Sequence, residues 1–202
     1  MENILKELIS FRRSVEPGIA YGIKMVEAAK DFLKVRDLKK ANLYVIAETS
    51  RCLPDAIEFL TGCTVGNGRL LIKDYSKMAA SFIDLNTKRA VRVTVIPEFQ
   101  RKDIAHSRRS VSLRQQRKFG NIMTHHARHA LEILKIPAKE LLRVHKIKLT
   151  EPVPTMRPPT KIVFCEKCGE SIREEKARVQ DGEILCLVCA GEEKPYFKPK
   201  YL

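Results

Sequence analysis

Apolar positions recur first at helical and then at strand spacing, and the change of period lays out a mixed architecture. Residues 2–10 carry Ile4, Leu5, Leu8 and Ile9 on one side of a short predicted helix. A longer helix opens at Pro17, because a fixed φ and a missing N–H suit the first helical turn. Ile19, Ile23, Val26, Ala29, Phe32 and Leu33 give it an apolar stripe. Residues 42–49, with Leu43, Val45, Ile46 and Ala47, are too short and too apolar for a surface helix and predict a buried strand. Pro54 starts another helix over residues 55–60, which stops at Gly62.

Gly66-Asn67-Gly68 predicts a tight turn between Cys63-Thr64-Val65 and the apolar run from Arg69 to Lys73. Residues 80–85 and 90–96 flank Asn86-Thr87-Lys88-Arg89 and predict a hairpin, which Pro97 ends. From Gln100 to Leu142 the pattern is helical and basic. Phe119, Ile122, Met123, Ala130, Ile133 and Leu134 share a face there, and Pro137 breaks the helix. His145 to Leu149 alternates and predicts a last core strand. Prolines 152, 154, 158 and 159 then predict a stiff, extended linker. The expected organisation is an α+β core over residues 1–150, a Pro-rich linker over 151–161 and a small module over 162–202.

A chain of 202 residues with 44% hydrophobic content suits one domain plus an appendage. No apolar run reaches the ~18 residues of a membrane helix, and the first residues lack the basic-then-apolar order of a secretory signal. A soluble cytoplasmic protein is expected.

The net charge of +14 is unevenly spread. Residues 1–99 hold 16 Lys/Arg against 12 Asp/Glu, residues 100–150 hold 13 against 3, and residues 151–202 hold 9 of each. Arg101, Lys102, Arg108, Arg109, Arg114, Arg117 and Lys118 thus form a local basic segment. Such a segment can steer an anionic partner such as nucleic acid, or can be a solvated face. The chain has no tryptophan and few aromatics among these cations, so a backbone-only, salt-sensitive association is the form such binding would take.

Four of the six cysteines stand as Cys165-x2-Cys168 and Cys186-x2-Cys189. Two residues between ligands let a knuckle present both sulfurs to one zinc ion. Gly169 follows the first pair, where the returning chain calls for a positive φ. Residues 178–185 read as a hairpin about Asp181-Gly182, which carries the second pair back beside the first. Four thiolates leave no open position, so a closed structural site with one Zn²⁺ per chain is expected rather than a catalytic one.

The run Glu48-Thr49-Ser50-Arg51-Cys52-Leu53-Pro54-Asp55-Ala56-Ile57, then Thr61-Gly62-Cys63-Thr64-Val65-Gly66-Asn67-Gly68, then Lys73-Asp74-Tyr75, resembles the FmdE family, proteins related to the FmdE component of formylmethanofuran dehydrogenase. The likeness runs from about Phe11 to Val95. It implies an α+β core of helices packed on a mainly antiparallel sheet, a treble-clef-type zinc finger and a closely associated homodimer. The family opens with Phe-His-Gly-His-x-Cys-Pro-Gly, and here the stretch is Phe11-Arg12-Arg13-Ser14-Val15-Glu16-Pro17-Gly18. Arg12, Ser14 and Glu16 replace the two histidines and the cysteine. Cys52 and Cys63 match the family's later cysteines, so a candidate core site would comprise Glu16, Cys52 and Cys63, with Glu16 as an oxygen ligand. The bland alternative makes the two cysteines small buried apolar residues.

His125-His126-Ala127-Arg128-His129 places His125 and His129 on one helical face, yet lacks the glutamate of a His-Glu-x-x-His protease. A packed histidine cluster is the expectation, with His106 part of the basic face. No phosphate-binding loop and no Gly-x-Ser-x-Gly elbow is present. The sequence therefore points to a non-catalytic, zinc-stabilised homodimer that binds a protein or small ligand. The alternatives are a nucleic-acid-associated regulator and an enzyme or metal-delivery protein with a core site.

Overall fold

In the computed structural model, described for residues 7–8, 10–12, 14–153 and 161–196, the chain forms two compact units, Met1–Val153 and Pro154–Leu202. Residues 2–6 and 9 of the first predicted helix lie outside the described part, as do residues 154–160 of the predicted linker. Glu7-Leu8 and residues 10–12 are helical, with Leu8 fully buried.

In the first unit, α1 (Pro17–Leu33) follows an extended Glu16 and carries proline in its first turn. Strand β1 (Leu43–Ala47) leads through α2 (Leu53–Thr61) to β2 (Leu70–Ile72), which lies parallel to β1. Gly62 caps α2 at φ 71°, a conformation that glycine adopts without a Cβ clash. The turn at residues 65–68 is present, and Asn67 organises it by donating to the Gly62 carbonyl at 2.8 Å and accepting from the Thr64 amide at 3.0 Å. Residues 63–65 form no strand. The run after the turn pairs with β1 instead, because β1 offers a longer apolar partner.

The predicted hairpin is β3 (Ala79–Asp84) with β4 (Ala90–Val95), antiparallel in the register Phe82 opposite Val91. Strand β5 (Leu142–Lys146) closes the sheet, whose order is β2-β1-β3-β4-β5. It starts earlier than residues 145–149 suggested, and only Leu142 of it is buried. Ile147 and Leu149 instead pack with Val153 over Tyr44, Ile83 and Ala90, covering one face of the sheet. The opposite face presents Leu43, Val45, Ala47, Ala80, Phe82, Val91, Val93 and Val95 to α1. This is the period-two alternation of strands, with both faces covered.

Helix α1 also packs on α2 at very close range. A Cβ on Gly22 would sit 2.5 Å from the Ala56 Cβ, and one on Gly18 would sit 2.9 Å from the Cys52 Cβ. Helices α3 (Pro97–Gln115) and α4 (Phe119–Lys135) form a hairpin, followed by the short α5 (Ala138–Leu141). Ile122, Ala130, Ile133 and Leu134 of α4 are buried as the stripe predicts. Phe119 and Met123 are 60% and 57% exposed, so the stripe's first turn does not join the core. No residue of α3 is buried.

The second unit has two small hairpins: β6 (Ile162–Phe164) with β7 (Ser171–Arg173), and β8 (Arg178–Gln180) with β9 (Glu183–Leu185). Asp181 and Gly182 form the second turn at φ 51° and 87°, the two positive values of a type I′ turn. Among the described residues no helix is long and apolar enough to cross a membrane.

Candidate functional site

The Sγ atoms of Cys165, Cys168, Cys186 and Cys189 all lie within 4.8 Å of one another. Two knuckles bring them there. The Gly169 amide donates to the Cys165 carbonyl at 2.8 Å, with Gly169 at φ 76°, and the Ala190 amide donates to the Cys186 carbonyl at 2.9 Å. Glu166 ties the knuckles together, its amide donating to the Ile184 carbonyl and its carboxylate accepting from the Ile184 amide at 2.9 Å. A tetrahedral zinc with Zn–S bonds near ~2.3 Å spaces its sulfurs ~3.8 Å apart, a separation that falls within the 4.8 Å bound of this cluster. The thiols respond to one another. Burial opposes ionisation of Cys165, but amide hydrogens of Cys168 and Cys186 hold it down to about 6. Burial and the adjoining thiols push Cys189 up to about 12. Four crowded sulfurs cannot all ionise unless a cation sits among them, so the donor set fits Zn²⁺.

Of the residues expected at a core site, the structure brings two together. The Cys52 thiol, at the start of α2, donates to Glu16 at the start of α1. Arg12 also binds Glu16, at 3.2 Å, and pairs with Asp55. Burial works against the Glu16 charge, yet the Cys52 and Arg12 contacts outweigh it and hold the carboxyl below its ordinary range. Burial and the Glu16 charge push the Cys52 thiol up, so it stays protonated at neutral pH. Cys63 does not join them. It follows the far end of α2, nine residues and ~13 Å long, and is buried with its thiol 3.5 Å from the Leu43 carbonyl. Burial pushes this thiol up as well. The Glu16–Cys52–Cys63 site is therefore corrected: Glu16 and Cys52 share a corner, and Cys63 is a core residue.

The structure adds a histidine cluster that the sequence divided. His106 of α3 stacks on His125 and His129 of α4, with ring centroids 4.0 and 4.3 Å away, and His126 lies 5.1 Å off. His129 Nε2 donates to Asp103 at 2.8 Å, and Tyr21 of α1 donates to the same carboxylate at 2.8 Å. Ser110 Oγ and His126 Nε2 are 2.9 Å apart. The Asp103 bond raises His129 above the usual imidazole value. Burial, then the neighbouring imidazoles, lower His106 to about 4. Burial also lowers His126, against the pull of the Glu16 charge, which places the cysteine corner within electrostatic reach of the cluster. The i,i+4 spacing of His125 and His129 was visible beforehand. Asp103, Tyr21 and Ser110 gave no signal, since only the packing of three helices joins them.

All seven predicted cations are exposed. Arg101, Lys102, Arg108, Arg109 and Arg114 lie on α3, while Arg117 and Lys118 lie in the connection to α4. Arg101 and Arg108 share one line along α3, and Lys102 and Arg109 share the next.

Comparison with known proteins bears on both units. A family model described as "FmdE, Molybdenum formylmethanofuran dehydrogenase operon" matches residues 15–143, and one described as "Prokaryotic dksA/traR C4-type zinc finger" matches residues 158–195. A "Probable S-adenosyl-L-methionine-binding protein" of Archaeoglobus fulgidus is 29% identical over 209 residues, which cover 95% of this chain and 53% of that one. The chain thus spans about half the length of this relative. The crystal structure of a tungsten formylmethanofuran dehydrogenase FmdE-like protein from Syntrophus aciditrophicus matches with a TM-score of 0.65 at 27% identity, covering 97% of this chain and 94% of that one. With its core matched over well more than half the chain, and a four-cysteine finger after it, this protein belongs to the FmdE family.

Proposed function

We propose that this chain is a non-catalytic, homodimeric binding protein of the FmdE type, whose tail is organised by one zinc ion per chain. One observation carries the reading: the corner where the family's soft ligands would gather is closed by an Arg12–Glu16–Asp55 ion-pair set around a protonated Cys52, with Cys63 at the far end of α2. Such a corner offers one hard oxygen already engaged by a guanidinium, a poor site for a transition metal. The exposed apolar side chains of the helical hairpin, Ile104, Val111, Phe119, Met123 and Leu131, support a second copy as the partner. S-adenosyl-L-methionine, named in the description of the Archaeoglobus relative, is the first ligand to titrate.

The test is a metal count on the purified zinc-replete protein, with its mass measured in solution. One zinc per chain, absent in Cys165→Ser/Cys168→Ser, together with a dimer mass, supports the reading. An equivalent of metal retained by that variant, or a monomer at high protein concentration, overturns it. A nucleic-acid-associated role is the second reading. It is favoured by the exposure of all seven cations, none of which has an ion-pair partner among the described residues.

A further inference from the structure

A cavity of about 630 Å³ opens between α3 and α4 and is lined by Lys102, His106 and Arg109 from one helix and by His125, Arg128 and His129 from the other, with Asn121, Thr124 and Glu132 beside them. The volume falls in the range of small-molecule sites. Its charge is lopsided: three cations without an ion-pair partner among the described residues face a single lining carboxylate, Glu132. Glu132 is itself turned to His129, at 3.5 Å. Asn121 and Thr124 add neutral hydrogen-bonding groups, and the buried Nε2 of His106 has no partner among the described residues. We infer that this cavity binds a small phosphorylated ligand, with Lys102, Arg109 and Arg128 gripping the phosphate oxygens and the Asn121 amide and His106 Nε2 completing its hydrogen bonds.

The geometry selects an anion over a metal ion. The His106 ring lies stacked between His125 and His129, so ring faces, not ring nitrogens, converge. Both nitrogens of His129 already meet carboxylates. Among the described residues only the four cysteines gather three or more ligand atoms at coordination distance. Three nearby cations would also repel a metal dication, whereas charge-assisted hydrogen bonds from guanidinium to phosphate are among the strong ones. The cavity is separate from Ile104, Val111 and Met123 of the apolar set, while Leu131 borders its rim. Ile104 and Val111 stand two residues beyond Lys102 and Arg109, and Met123 two beyond Asn121, so each lies about 200° around its helix from the lining.

Calorimetric titration of the zinc-replete full-length protein with pyrophosphate and with ADP tests the inference, alongside a single-stranded RNA 12-mer and S-adenosyl-L-methionine. Saturable binding of both phosphate probes is expected, weakened about 10-fold or more in Arg109→Gln/Arg128→Gln and unchanged in Arg114→Gln/Arg117→Gln, whose side chains lie outside the lining. Glu132→Gln tightens it, and the sulfonium cation does not compete. The inference is overturned if neither probe binds at low salt. It is also overturned if both double variants lose affinity equally, if only RNA binds with a steep salt slope, or if His125→Gln abolishes uptake of a second metal. The outcome is independent of the zinc reading, because metal count and ADP affinity can fail separately.

Discussion

The two units of this chain carry apolar residues in similar strand patterns but use them in opposite ways. In the first, Tyr21, Ile19, Met25, Leu43, Leu53, Ile57, Phe82, Ile133 and Leu141 are all less than 2% exposed. Each such side chain contributes roughly 1.5–3 kcal/mol when removed from water. In the second, Ile162, Phe164 and Val179 are 68%, 65% and 72% exposed, and Leu185 is the large aliphatic buried among the described residues. Four three-residue strands cannot close a core of their own. Burial therefore orders the first unit and sulfur chemistry orders the second, so the two respond to different perturbations.

The largest effect follows from chelation. Structural zinc in a small module contributes on the order of 10–16 kcal/mol of binding free energy that doubles as folding free energy. Stripping the metal is expected to collapse the dispersion of backbone NMR resonances over residues 161–196 and to leave those of β1, β3 and β4 in place. Loss of the sheet signals as well would contradict this division of labour.

A smaller effect, confined to the other unit, comes from Gly22→Ala. The new methyl would meet the Ala56 Cβ at 2.5 Å, and both groups are anchored on helix backbone, so α1 and α2 must separate. A cost of about 1–3 kcal/mol is expected in denaturant unfolding of the core, with zinc affinity unaltered. A neutral outcome would show that the α1–α2 contact yields more readily than its packing implies.

The smallest effect belongs to the histidine cluster. His106 has a folded value near 4 against an ordinary 6.5, so the unfolded chain binds its proton more readily. Its contribution is present above about pH 6.5 and is lost as pH falls toward 4. His126, also lowered, acts in the same direction. His129 is raised, so its contribution is present below the ordinary imidazole value and is lost as pH rises through its folded one. Thermal unfolding of His106→Gln should therefore decline less steeply than wild type between pH 6.5 and 4. Asp103→Asn should cost more at pH 6 than at pH 9. Parallel pH profiles for His106→Gln and wild type would remove His106 from this account.

Much of the fold was legible because local rules set it. Pro17 and Pro54 each stand in the first turn of a helix, Gly62 caps the second of these, Pro97 ends the last strand before the helical hairpin, and the alternation of residues 79–84 and 90–95 made a β-hairpin. The cysteine spacing and the Asp181-Gly182 turn specified the zinc knuckles, since a tetrahedron and a type I′ turn each demand particular residues at fixed offsets. Long-range placement was not legible in this way. That β2 pairs parallel to β1, that the Cys63 thiol comes to rest on the Leu43 carbonyl, and that Phe119 and Met123 remain outside depends on which surfaces compete for the same core.

The histidine cavity marks the same boundary most clearly. The sequence determined that α4 would carry His125 and His129 on one face and that residues 100–118 would be cationic. Only the folding of α3 back on α4, beside Tyr21 of α1, set His106 between those rings and Lys102 and Arg109 opposite Arg128. Helical periodicity fixes which side chains share a face. Which faces meet is decided by the burial free energy of the whole unit, to which residues far apart in the chain contribute together.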